Sequence, residues 1–229
     1  MDAHGISTGR RFWIAASAVC LVNVLLHALC LPYLPDMLPA HWNAEGMADA
    51  LAPKEADFAF SLLPACVLLV LGLAERFGLS GKASAKALRG YRRFVLVFTL
   101  WLSALTWMGE LSYAGVLFEG AALLASLFLG AGIIFLCLAR ILPDLPRNRF
   151  AGVRTAAALE SPEVWKSSQR VGGHILAAEG VLSLALAGAA FLAPELVETA
   201  GIWIFLAAVI AGSCASALYS WACGRRQER

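Results

Sequence analysis

The residues best equipped for chemistry fall in three places. The first is His41-Trp42-Asn43-Ala44-Glu45-Gly46, which brings an imidazole, an indole, a carboxamide and a carboxylate into one apparent turn. Asn43 and Gly46 are the turn formers. This hexapeptide lies within Leu31–Lys54, the longest polar passage in the front half of an apolar chain. Pro32, Pro35 and Pro39 precede it, so no helix can run through its first half. The second place is a set of ionisable side chains inside apolar runs: Glu110, His174 and Glu179. The third is a polar connector around 148–170, rich in arginine and holding Trp165.

Each place has a bland reading beside the sharper one. In the outer stretch Asp36, Glu45, Asp49, Glu55 and Asp57 outnumber Lys54 and set up a negative potential that attracts cations or a cationic peptide. Any soluble loop also carries charge. Trp42 suits a membrane interface as an anchor, yet His41 and Asn43 on either side indicate an organised, hydrogen-bonded turn. His41 among scattered carboxylates lacks the paired spacing of a zinc site. No metal and no cofactor is expected.

A charge at the centre of a bilayer costs about 2.5–3.5 kcal/mol on insertion scales, so Glu110 and Glu179 need a reason. Glu110 falls near the outer end of its apolar run, within reach of headgroups. Glu179 is deeper, about 13 Å along a helix from Arg170. The favoured expectation is structural: Glu179 is neutral, or pairs with Asn23 or His27 of the first apolar run. The alternative makes it a proton-binding site. His174 lies nearer the inner surface, where Arg170 or a headgroup would meet it.

In the connector, Ser161-Pro162-Glu163 is a helix start, with Ser as N-cap, Pro at the first position and an acid in the first turn. The helix predicted there is amphipathic and interfacial, with Trp165 dipping into lipid and Lys166 towards headgroups. Its basic residues suit anionic lipid or a cytoplasmic partner. There is no nucleophile and base pair, phosphate loop or cofactor box. The chain reads as a non-enzyme, and its basic connector is too weak a signal for direct nucleic-acid binding.

The elements that position these residues follow from composition. Of 229 residues 60% are hydrophobic and 15% charged, with mean hydropathy +0.72, which excludes an ordinary soluble domain. The apolar residues form blocks of membrane-spanning length, about 20 residues each. Spans are predicted at about 12–31, 58–74, 94–112, 120–139, 171–193 and 201–223. The second contains Pro64, tolerated where neighbouring helices satisfy the freed carbonyl. The outer loop is 32–57, and the inner connectors are 75–93 and 140–170. Of the 18 Lys and Arg, only Lys54 falls outside the tails and inner connectors. That bias predicts an all-α membrane protein of six helices, N-in and C-in, with the proline-rich loop extracytoplasmic.

The first block reads as an uncleaved span, because it is long for a signal peptide and ends without a small-x-small site. Cys20, Cys30, Cys66, Cys137, Cys214 and Cys223 lie in or beside apolar blocks without a Cys-x-x-Cys pair, and read as small hydrophobes. Ala185/Ala189 and Ala208/Gly212 have the spacing of close helix contacts.

Two passages carry a family resemblance. Leu34-Pro35-Asp36-Met37-Leu38-Pro39-Ala40-His41-Trp42-Asn43-Ala44-Glu45-Gly46-Met47-Ala48-Asp49, followed by Lys54, resembles the signature of a small bacterial membrane domain of unknown function. That domain forms the front half of the SdpI family, which includes immunity proteins against a secreted peptide toxin. Asn148-Arg149-Phe150-Ala151-Gly152-Val153-Arg154-Thr155, with Leu159, Glu163-Val164-Trp165-Lys166 and Arg170, is similar to the SdpI-type motif between spans four and five. The pattern departs at Ala156-Ala157-Ala158, where the family usually has Pro-Trp-Thr, and at Gln169, where a His is common.

The resemblance implies an N-terminal membrane domain at 1–93, an SdpI-like region at 94–229, and location in the bacterial cytoplasmic membrane. It further implies self-resistance to a membrane-active peptide and, in the best-known case, sequestration of a cytoplasmic repressor. On this reading Asp36, His41, Trp42, Asn43, Gly46, Asp49 and Lys54 face the ligand, while Arg154, Thr155, Glu163, Trp165, Lys166 and Arg170 organise the cytoplasmic side. One rival is a small transporter or proton-coupled permease using Glu179, with Glu110. The other, the weakest, is a lipid-modifying or metal-dependent membrane enzyme using His41.

Overall fold

A computed structural model of the chain describes residues 3–116 and 119–227. The first long helix, α1 (Ala3–Cys30), ends where Pro32 enters a short 3-10 turn. The passage that follows is not an irregular loop. It folds as a two-stranded antiparallel hairpin, β1 (Met37–Trp42) with β2 (Ala48–Pro53), so the fold is mostly rather than wholly helical. Next come α2 (Lys54–Phe60) and α3 (Leu63–Ala74). Pro64 sits in the first turn of α3, where its missing N–H would have had no partner anyway, and so costs no helical bond. The connection beyond α3 is a π-helical turn, closed by Ser80 N–H donating to Glu75 O at 2.8 Å.

The third apolar block departs from its expected bounds. Helix α4 (Ala85–Leu105) begins well before residue 94, because Ser84 caps it by accepting from Ala87 N–H. It breaks at Thr106–Trp107, and α5 (Met108–Tyr113) finishes the end that meets the hairpin. Then follow α6 (Ala121–Ile141), the short α7 (Ala156–Glu160), the 31-residue α8 (Pro162–Leu192), the one-turn α9 (Pro194–Leu196) and α10 (Ile202–Gln227). The last residues of the basic tail, 228–229, lie outside the described residues.

Among the described residues, five segments are long and apolar enough to cross a membrane: Gly9–Tyr33, Lys54–Leu79, Ala121–Asp144, Pro162–Leu192 and Pro194–Gln227. Helix α4 is flanked by contacts at both levels of this bundle. At one level Arg92 pairs with Glu75, and the Arg92 guanidinium lies against Gly9. At the other, Thr106 meets Asn23 and His27 of α1. Helix α4 therefore runs beside α1 in the same direction, with α3 antiparallel to both.

The back half is organised by α6 against α8. A Cβ on Gly132 would lie 3.0 Å from Gly180 O, and one on Gly180 would lie 3.1 Å from Gly132 O. This glycine pair brings two backbones together, which is how apolar helices associate without a hydrophobic driving force. Of the small-residue pairs expected to pack, Gly212 does so, against Ile175 and Glu179 of α8. Ala185 does not, because it is exposed. All six cysteines are free thiols. Ile14, Leu21, Val22, Leu25, Leu69, Val70, Ile210 and Leu218 point outward, as lipid-facing surfaces require.

Candidate functional site: a hairpin cap over a buried polar cluster

The cap is built from the His-Trp-Asn turn. Asn43 makes it with its own side chain, as its Oδ1 accepts from Glu45 N–H at 3.2 Å and Met47 N–H at 2.9 Å. Gly46 follows with φ of 81°, a left-handed geometry that favours glycine. Its carbonyl accepts from Gly120 N–H at 3.0 Å, and a Cβ would lie 2.6 Å from Gly120 O. The hairpin tip is thereby fastened to the start of α6. Ala121 N–H, the first donor of that helix, gives its hydrogen to Glu198 at 2.8 Å. The acidic turn after α8 is thus a cap for α6.

The remaining residues of the hairpin and its base play separate parts. Each strand carries one extra residue, Ala40 on β1 and Asp49 on β2. Asp49 uses its position to meet His41 Nδ1 at 2.5 Å, and both side chains are exposed. Lys54 pairs with Asp36 at 3.2 Å and donates to Leu34 O, closing the base of the hairpin. Trp42 is half-buried, and its indole N–H is among the buried donors without a partner. Leu38 of β1 is fully buried and plugs the cap onto the bundle. Gly109 of α5 admits this packing, since a Cβ there would come within 2.9 Å of Pro39 O and 2.6 Å of Asp57 Oδ1.

Beneath the cap lies a cluster whose members are far apart in sequence. His27, 1% exposed, places Nδ1 at 2.5 Å from Glu110 Oε1 and at 4.0 Å from Asp57 Oδ2. Its ring stacks on Trp107 with centroids 4.0 Å apart. Its Nε2 is 3.2 Å from Thr106 Oγ1. The Thr106 hydroxyl hydrogen is committed to Ser103 O at 2.8 Å, so in this network Nε2 carries a hydrogen and donates to Thr106. Asn23 completes the frame by donating to Ser61 O at 3.1 Å and accepting from Trp107 Nε1 at 3.0 Å. The contacts come from the last turns of α1, from α2 and its junction with α3, and from the α4–α5 break.

Two expectations are corrected here. Glu110 does not reach for headgroups; it is buried and bound to His27. Glu179 is buried as expected but meets neither Asn23 nor His27, because those side chains are consumed by Thr106, Trp107, Ser61 and Glu110. The Glu179 carboxylate lies against Gly212 of α10. His174 is exposed. The group able to hold a metal among the described residues is His27, Asp57 and Glu110, not a site around His41; their ligand atoms all lie within 4.8 Å of one another. The usable signal in the sequence was Asn23 and His27 as the strongly polar residues of the first block.

The opposite face is held by the connector motif. Asn148 Oδ1 accepts from Phe150 and Ala151 N–H, both at 2.8 Å, and its amide donates to Pro146 O. Gln169, fully buried, clamps Val153 with two bonds of 2.9 Å, accepting from its N–H and donating to its carbonyl. Thr155 caps α7 and meets Ser220 of α10 at 2.5 Å. Trp165 does not dip into lipid: it is 5% exposed and donates from Nε1 to Leu145 O at 2.9 Å. The helix it starts continues unbroken as α8 rather than lying on the surface. Glu163 accepts from the Ser161 hydroxyl at 3.0 Å, and Arg154 donates to Arg149 O at 2.8 Å. Arg154, Lys166 and Arg170 remain exposed. The connector docks on the front half through Phe150 against Gly78 and a Lys86–Asp144 ion pair of 2.8 Å.

This connector and the helices after it decide the relationship, because residues 144–220 match the SdpI/YfhL protein family. The chain carries an SdpI-family membrane region. Residues 18–65, spanning His27, the hairpin and Asp57, match the Domain of unknown function (DUF1648). No curated protein and no solved structure matches the chain. The SdpI-family region and the apolar helices together make this a multi-pass membrane protein.

Proposed function

We propose that this SdpI-family protein gives its host immunity to a membrane-active peptide, met from outside by the outer cap. The supporting observation is the cap itself: a hairpin pinned through Gly46 to the start of α6, which Glu198 of the SdpI-family region caps in turn. Its surface presents the His41–Asp49 pair and Glu45 beside exposed Met37, Met47 and Leu51, a mixed acidic and apolar face suited to a cationic amphipathic peptide. In this reading the protein sits in the bacterial cytoplasmic membrane with six spans, α4 and α5 forming the third, and both termini inside. The arginine bias supports that orientation. Exposed Arg154, Lys166 and Arg170 then form the surface open to a cytoplasmic repressor or anionic lipid.

The test is protection. Sensitive cells expressing the chain are challenged with secreted membrane-active peptides, beside cells expressing the Trp42→Ala, Asn43→Ala double mutant at equal membrane abundance. Protection by the wild type that the mutant lacks supports the reading. No protection against any peptide contradicts it. Buried Glu179 in α8 favours a second reading, proton-coupled transport, which predicts solute uptake that collapses in Glu179→Gln.

A further inference from the structure

We infer that His27, Asp57 and Glu110 form a binding site for one divalent transition-metal ion of the Zn2+ type, seated under the outer hairpin. The inference does not depend on the immunity reading, because it concerns what the cluster holds rather than what the cap meets.

The ligand set is an imidazole and two carboxylates, from α1, α2 and α5. Three protein ligands of this kind leave a fourth position for water or another donor. Thr106 fixes the imidazole orientation: Nε2–H is tied to its hydroxyl, which leaves Nδ1 facing both carboxylates and hydrogen-bonded to Glu110, and the ion takes the place of the proton shared between them. Orientation of a metal-bound histidine through its second nitrogen is a recurring feature of such sites. The Trp107 ring stacked on the imidazole and the Asn23 amide hold the plane.

Charge points the same way. Two carboxylates share a pocket with a single imidazole, and no Lys or Arg forms an ion pair with either among the described residues. A divalent cation with a neutral imidazole makes the group electrically neutral, which a buried site demands. Glu110 Oε2 is the second pointer. It belongs to a side chain 7% exposed and is a buried oxygen without a hydrogen-bond partner. Such an atom is costly to leave unpaired and is a natural ligand.

The geometry needs little change. Tetrahedral coordination with bonds of about 2.0–2.1 Å puts neighbouring donors about 3.3 Å apart. The Nδ1–Oε1 separation of 2.5 Å opens and the Nδ1–Oδ2 separation of 4.0 Å closes, both by side-chain rotation. Gly109 provides the clearance beside Asp57 that any Cβ would remove. Among divalent ions, a mixed nitrogen and oxygen set binds Zn2+ more strongly than Mn2+ or Fe2+. The ion would tie the end of α1 to both following segments, locking the cap on the bundle.

The purified full chain in detergent is stripped with chelator, incubated with Zn2+, desalted and assayed for metal per chain. Glu110→Gln and Asp57→Asn are near-isosteric and are checked for monodispersity, while Glu179→Gln is the control acid. The expected result is one Zn2+ per wild-type and Glu179→Gln chain, with the ion lost from both ligand variants. Thr106→Val weakens Zn2+ affinity by about 10- to 100-fold while leaving the ligands in place. A wild type without Zn2+, or ligand variants that retain it at the wild-type level, overturns the inference.

Discussion

Gln169 provides the sharpest quantitative prediction. This fully buried amide holds both backbone groups of Val153, each at 2.9 Å, and the adjacent Gly152 has φ of 110°. Gln169→Leu keeps the volume and removes donor and acceptor together. Each stranded backbone group costs about 1–3 kcal/mol, so the connector loses about 2–6 kcal/mol of local stability, less whatever water recovers. Gln169→Glu keeps the acceptor but sets a buried carboxylate oxygen against the Val153 carbonyl, so an ionised Glu costs at least as much as Leu. Gln169→His also recovers only one bond, because the two imidazole nitrogens point apart while the Val153 groups need a side-by-side pair. The assay is amide hydrogen exchange of the detergent-solubilised protein. The Val153 amide should exchange at least about tenfold faster in Gln169→Leu, since each 1.4 kcal/mol is a factor of ten. Unchanged Val153 protection, with thermal unfolding matching the wild type, would refute the reasoning.

Other perturbations probe other parts. Glu75→Gln leaves the Arg92 guanidinium, held by bonds of 2.6–3.2 Å, without its counter-charge; a loss of about 3–5 kcal/mol is expected by thermal unfolding. The Glu75→Gln, Arg92→Leu double mutant should recover part of it. Gly46→Ala forces a Cβ to 2.6 Å from Gly120 O at a positive φ, so the Gly120 amide should lose exchange protection while α8 keeps its own. In a cysteine-free background, Met47→Cys should label with an impermeant thiol reagent added outside, and Lys166→Cys only after lysis. The reverse pattern would invert the orientation.

The helical framework was legible because hydropathy acts over whole blocks. Ser161-Pro162 was legible for a local reason: the cap and the first-turn proline are complete within a few residues, and Ser161 Oγ does accept from Val164 N–H. The hairpin was hidden because its strands, Met37–Trp42 and Ala48–Pro53, contain prolines and alanines instead of β-branched alternation. Its pairing depends on the Asn43 turn and on the α6 start far along the chain. Trp165 misled because an indole beside lysine fits a lipid interface and equally fits a buried ring with a carbonyl partner at Leu145. His27 and Glu110 were each visible as costly polar residues in apolar runs. Their union was not, since it spans 83 positions and needs the break at Thr106 to turn Glu110 inward.

The most direct test of the outer cap as the meeting point is photocrosslinking in living cells. A photoreactive residue replaces exposed Leu51 on the hairpin or exposed Tyr219 near the other end of the bundle, and a peptide against which the cells are protected is added outside. The account predicts a peptide adduct at position 51 and none at 219. An adduct at 219 alone, with protection intact, would contradict it.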